Sequence, residues 1–158
     1  MNCAWFVVSR RVGFLRTEMT PRTVQPDRDD PSLQCPLHDR AMRRFAIDTI
    51  EVDRCGICGG IWLDAGELAR LVALDTEGKS AIKLLDRSDG DDEPGDHGPV
   101  CPRDGRTLEW MRTDTKAGFE CGVCHSCGGV FLNSGELSAL TATGLLEKLR
   151  RYLFASGR

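Results

Sequence analysis

From Phe45 to Val52 (Phe45-Ala46-Ile47-Asp48-Thr49-Ile50-Glu51-Val52) apolar and polar residues alternate. That period of two predicts extended strand folded as a small hairpin. Downstream the period lengthens. Leu68, Leu71 and Val72 share one helical face, as Leu137 and Leu140 do later. Leu145, Leu146, Leu149, Tyr152 and Leu153 recur at spacings of three and four, with Lys148, Arg150 and Arg151 between them, which predicts an amphipathic helix. Asp64 and Asn133 are good N-cap residues, and Glu67 and Glu136 follow three residues later, as in a capping box. Gly78 predicts an end or break in the first helix, and Ala81-Ile82-Lys83-Leu84-Leu85 predicts a further short turn.

Strand pattern followed by helix pattern occurs twice because the sequence repeats. Cys58-Gly59-Gly60-Ile61-Trp62-Leu63-Asp64-Ala65-Gly66-Glu67-Leu68 returns 69 residues later as Cys127-Gly128-Gly129-Val130-Phe131-Leu132-Asn133-Ser134-Gly135-Glu136-Leu137. Cys55 and Cys124 precede the two stretches at equal distance, and Cys35-Pro36 and Cys101-Pro102 stand upstream. Asp114-Thr115 lies as far beyond Cys101 as Asp48-Thr49 lies beyond Cys35. Copy two then carries three extra residues, so Lys116-Ala117-Gly118 reads as a longer hairpin turn.

The chain therefore divides into a disordered leader (1–34), a first hairpin unit with its helical segment (35–86), a linker (87–99) and a second such unit (100–155). Residues 86–98 hold six acids, Asp86, Asp89, Asp91, Asp92, Glu93 and Asp96, against Arg87, with Gly90, Pro94, Gly95 and Gly98 among them. Such a run reads as solvated and flexible.

Units of this size bury little surface and are marginal without metal or disulfides. Seven of the eight cysteines fall in the repeats. Ala4 to Val8 is an apolar run of only five residues, and Arg10, Arg11 and Arg16 follow it rather than precede it. That is not the pattern of a secretion signal, and no later run reaches the length of a membrane span. A cytoplasmic chain with reduced, metal-binding thiols is expected, with translation starting at Met1 or Met19.

Two residues between ligands let one tight turn present both side chains to the same ion. Cys35, His38, Cys55 and Cys58 supply three thiolates and an imidazole, a set suited to tetrahedral structural zinc. Gly59 and Gly60 allow backbone angles that let amides face the sulfurs. In the second set Cys101, Cys124 and Cys127 match Cys35, Cys55 and Cys58, but Asp104 holds the position of His38. The fourth donor there is Cys121, Asp104, or else His125 or water, all chemically able. Two zinc ions are expected.

These residues resemble the bacterial zinc-ribbon family named for transcription factor IIB. Its hallmark is Cys-Pro-x-Cys, a hairpin, and then Cys-x2-Cys-Gly-Gly-x-Trp-Leu-Asp-x-Gly-Glu-Leu. Cys35-Pro36-Leu37-His38 and Cys55 through Leu68 carry the likeness, with histidine for the second cysteine. Cys101-Pro102-Arg103-Asp104 and Cys124 through Leu137 form a divergent copy, with Phe131 for tryptophan and Asn133 for aspartate. The resemblance implies a small α+β protein of two tandem zinc ribbons, each a zinc knuckle plus β-hairpin followed by an amphipathic helical segment. It implies zinc binding and, more weakly, transcription.

A non-enzymatic adaptor is the leading expectation, with a protein partner or self-association through the helical segments 68–85 and 137–153. Those faces could instead close one shared core. Nucleic-acid binding is the alternative, through Arg40, Arg43, Arg44, Arg103, Arg106, Trp110 and Arg112. A net charge of −3 and the interleaved Asp39, Asp48, Glu51 and Asp53 oppose it. A zinc-linked redox sensor, using Cys121, Cys124, Cys127 or the isolated Cys3, ranks below both. Catalysis at the second set would need a base, and Glu120 and Glu136 sit in no catalytic motif.

Overall fold

The structure, a computed structural model, describes residues 32–87, 98–112 and 118–143. The rest of the leader, most of the acidic linker, Lys116-Ala117 and the apolar series from Leu145 to Leu153 lie outside the described residues. The last leader residues already belong to the fold: Leu33 is buried and Gln34 forms a bridge with Ala41.

Copy one supplies strands β1 (Arg43–Ile47), β2 (Ile50–Arg54) and β3 (Ile61–Leu63), then helices α1 (Glu67–Val72) and α2 (Thr76–Leu85). Copy two supplies β4 (Glu109–Arg112), β5 (Glu120–Val123), β6 (Val130–Leu132) and α3 (Glu136–Thr143). The alternating run becomes the β1–β2 hairpin, with Ile47 opposite Ile50 and Asp48 at φ +56° in the two-residue turn. A left-handed residue is what such a tight hairpin turn requires, and aspartate tolerates it.

The six strands form one sheet, in the order β1-β2-β3-β6-β5-β4, every neighbour antiparallel. At its centre β3 pairs with β6, placing Ile61 opposite Leu132, Trp62 opposite Phe131 and Leu63 opposite Val130. Trp62 thus faces its own counterpart in the repeat. An antiparallel pairing centred on equivalent residues is what a local two-fold axis produces. The repeat therefore behaves as a symmetric pair of ribbons joined edge to edge.

One face of this sheet is covered by the helices. Val52, Ile61, Leu63, Val130 and Leu132 pack there with Leu68, Leu71, Ile82, Leu137 and Leu140 in a single cluster drawn from both copies. On the other side Trp62, Phe131, Met42 and Leu108 pack with Cys35, Cys55, Cys58, Cys101, Cys124 and Cys127.

The helix boundaries differ from the sequence reading in two places. Glu67 does reach back to the Asp64 amide (2.8 Å), but α1 is preceded by Gly66 at φ +88° and no side chain caps it. Gly78 does not end a helix. The chain breaks after Ala73, Asp75 caps α2 by accepting the Gly78 amide at 3.0 Å, and a Cβ on Gly78 would lie 2.6 Å from Leu74 Cβ. Gly78 is there to let Leu74 fold back over the first turn.

Asp86 also departs from its expected role in the solvated acidic run. It is buried beyond α2, and its carboxylate accepts the Gly135 and Ser138 amides of copy two, each at 2.7 Å. The last residue of one helical segment thus satisfies the orphan donors at the start of the other.

Candidate metal centres

Four tight turns build the candidate sites, two in each copy. Cys35 and His38 lie in the turn before β1, and Cys55 and Cys58 in the turn between β2 and β3. Each turn closes on itself: the Cys35 amide donates to Arg40 O (2.7 Å) and the Cys55 amide to Gly60 O (2.9 Å). Copy two repeats both bonds, from Cys101 to Arg106 O (2.7 Å) and from Cys124 to Gly129 O (2.9 Å). The residue four after each leading cysteine is left-handed: Asp39, Gly59, Gly105 and Gly128. That geometry aims backbone amides at sulfur. Ile57 N donates to Cys55, Gly60 N to Cys58, Arg103 N to Cys101 and Gly129 N to Cys127, all at 3.4 Å. Amides directed at sulfur stabilise the thiolate, the form that binds metal.

In each copy four donor atoms converge, all within 4.8 Å of one another: Cys35, His38, Cys55 and Cys58, and Cys101, Asp104, Cys124 and Cys127. Cys35 Sγ lies 3.8 Å from Cys58 Sγ and 3.7 Å from His38 Nδ1. With zinc–sulfur bonds of about 2.3 Å, the sulfur–sulfur edge of a tetrahedron is about 3.8 Å. In the second group Cys101 Sγ and Cys127 Sγ are 3.6 Å apart, and the Asp104 carboxylate lies 3.4 Å from Cys124 Sγ.

A cation changes how protons divide among these donors. Hydrogen bonds with Cys55 and Cys58, and burial, push the Cys35 thiol up, while hydrogen bonds from Cys35 and Cys58 hold Cys55 well below the usual thiol range. Three adjacent thiolates need a dication between them. At the second group burial raises Cys101 and Cys127, while Asp104 is held low, at about 2, by the Arg106 amide and the Cys101 side chain. Both donor sets suit Zn2+.

The sequence left the second set's fourth donor open, and the structure places Asp104 there. Cys121 does not join the group, which corrects that expectation. It lies on β5 opposite Leu132 and Met111, facing the helices in the apolar core, where burial pushes its thiol up to about 12. Strand alternation puts it on the wrong side of the sheet. His125 is exposed and pairs instead with Glu109 at 2.8 Å.

Residues that sequence reasoning missed join the two sites to each other. A Cβ on Gly60 would lie 2.3 Å from Phe131 Cζ, and one on Gly129 would lie 2.1 Å from Trp62 Cζ2. Each copy's aromatic ring therefore rests on the glycine of the other copy's knuckle. Gly59 and Gly128 serve the left-handed turn, whereas Gly60 and Gly129 make room for a ring. The available signal was the conservation of a Gly-x-aromatic spacing between the two copies.

Asp64 completes the junction. It accepts the Trp62 indole N–H (3.0 Å) and Arg103 Nε from copy two (3.0 Å). In copy two both members change together, since Phe131 has no N–H to satisfy and Asn133 no charge.

Residues 34–74 and 100–143, together more than half of the chain, each match the family model described as transcription factor zinc-finger. No curated protein and no solved structure matches the chain. Two matched segments, each containing one four-donor group on the same set of turns, establish that the chain belongs to the transcription factor zinc-finger family and carries its zinc ribbon twice.

Proposed function

We propose that this zinc-binding protein is a non-enzymatic adaptor, whose two ribbons form a rigid sheet that presents its surface to another protein. The observation that carries this reading is closure of the donor sets. Each group brings together four side-chain donors, the full complement of a structural zinc, whereas catalytic zinc keeps a position for water or substrate.

The charge pattern supports a protein partner over nucleic acid. Arg44 meets Asp53 (3.3 Å) and Glu51 (3.7 Å), Arg103 meets Asp64, and Arg112 meets Glu120. A cation already held by a carboxylate has little to give a phosphate. The apolar faces of the described helices are largely absorbed by the shared core, although Leu84 on α2 is 60% exposed. The edge strand β4 offers Trp110, 39% exposed. No helix among the described residues is long and apolar enough to cross a membrane.

Titration against short single-stranded DNA and RNA at roughly 50 and 200 mM salt tests this choice. The expected outcome is no salt-sensitive binding. Binding that weakens with salt and is lost in Arg106→Ala or Trp110→Ala would replace the adaptor reading with a nucleic-acid one.

A further inference from the structure

We propose that the two zinc sites differ in function: the first holds a permanent ion and the second an exchangeable one, with Asp104 setting the difference. The two groups share their turn-closing bonds and the glycine amide on the last cysteine, Gly60 N to Cys58 and Gly129 N to Cys127, and they differ in the fourth donor and its exposure. In the first group Cys35, Cys55 and Cys58 are all at most 2% exposed, and the partly buried His38 supplies nitrogen. In the second, Asp104 is exposed and Cys127 partly so.

Zinc is a borderline-soft ion, and a carboxylate oxygen is a harder donor than imidazole nitrogen or thiolate. The carboxylate adds a negative charge that imidazole lacks, but in contact with water that charge is heavily screened. Water and chelators also reach it directly. Release begins with one donor letting go and a competitor taking its place. At the second group that donor sits at the surface and is the weakest of the four. The Arg106 amide, 3.1 Å from Asp104 Oδ1, gives the detached carboxylate a resting partner. The second ribbon would thus gain and lose its ion as the surrounding zinc concentration varies, while the first keeps its own.

Competition by a chromophoric chelator against the full chain loaded with two zinc ions tests this. The expected record has two phases of equal amplitude, one ion each, with rates separated by at least about tenfold, the lower end of what even an outer-shell change costs in affinity. Asp104→His, which copies the first donor set onto the second group, should slow the fast phase toward the slow one. The reciprocal His38→Asp should convert the slow phase into a second fast one. Release of both ions in a single phase, a chain that takes up only one ion, or a fast phase indifferent to Asp104→His would overturn the proposal.

Discussion

Cys58→Ser is expected to remove one zinc ion and to cost far more than one ribbon's worth of structure. Structural zinc contributes on the order of 10–16 kcal/mol of apparent binding energy in small peptides. The whole stability of an ordinary domain is about 5–15 kcal/mol. The first ribbon has no interior large enough to replace that contribution. The damage should also spread, because the Gly60 amide that faces Cys58 belongs to the glycine on which Phe131 rests. Elemental analysis should show at most one ion per chain, and far-UV circular dichroism should lose well over half of the native signal. Native ellipticity in Cys58→Ser would mean that metal does not fold that half. Cys121→Ala is the matching control. It removes a buried thiol outside both groups, so two ions should remain, with a cavity cost of about 1–2 kcal/mol.

Gly129→Ala should be unusually damaging for a single methyl group. The added Cβ would fall 2.1 Å from Trp62 Cζ2, far inside contact distance, so the ring or the sheet must move. Overpacking of this kind costs about 1–3 kcal/mol, and more where the backbone cannot yield. Because the obstacle is a side chain of the other copy, the penalty should be relieved by Trp62→Leu in the same chain, with a coupling of about 1–3 kcal/mol in a double-mutant cycle. Gly60→Ala should be relieved in the same way by Phe131→Leu, but not by Trp62→Leu. Gly105→Ala supplies the contrast. Nothing lies within 4 Å of its Cβ, and its φ of +72° costs about 1–2 kcal/mol of backbone strain. Denaturant unfolding measures all of these. Equal relief of both glycine variants by either aromatic replacement would show that the rings do not cross between copies.

Much of the metal chemistry was legible in the sequence because ligand spacing is a local property. Cys55-x2-Cys58 and Cys124-x2-Cys127 fix both donors on one turn whatever surrounds them. The β1–β2 hairpin was legible for the same reason, since alternation and the Asp48-Thr49 turn lie within a few residues. What escaped was set by contact across the repeat. The third strand of each copy is three residues long and lies inside the knuckle motif, so no periodicity marks it. It pairs on one side with its own hairpin and on the other with the matching strand of the other copy, where Trp62 lies opposite Phe131. Asp64 has the chemistry of a helix cap, but the Trp62 indole and Arg103 claim its carboxylate. Asp86 stands at the head of an acidic run, yet α3 needs its oxygens. Cys121 offers sulfur at a Cys-x2-Cys spacing from Cys124, but it lies on the face of β5 turned to the helices.

Substitution of two zinc ions, one per ribbon, for the interior that so short a unit cannot build is what folds this chain. Stripping zinc from the freshly isolated chain with a strong chelator while recording far-UV circular dichroism addresses it. Ellipticity should collapse as the ions leave and return when two equivalents of zinc are restored. A metal-free chain that keeps its full native spectrum would contradict it.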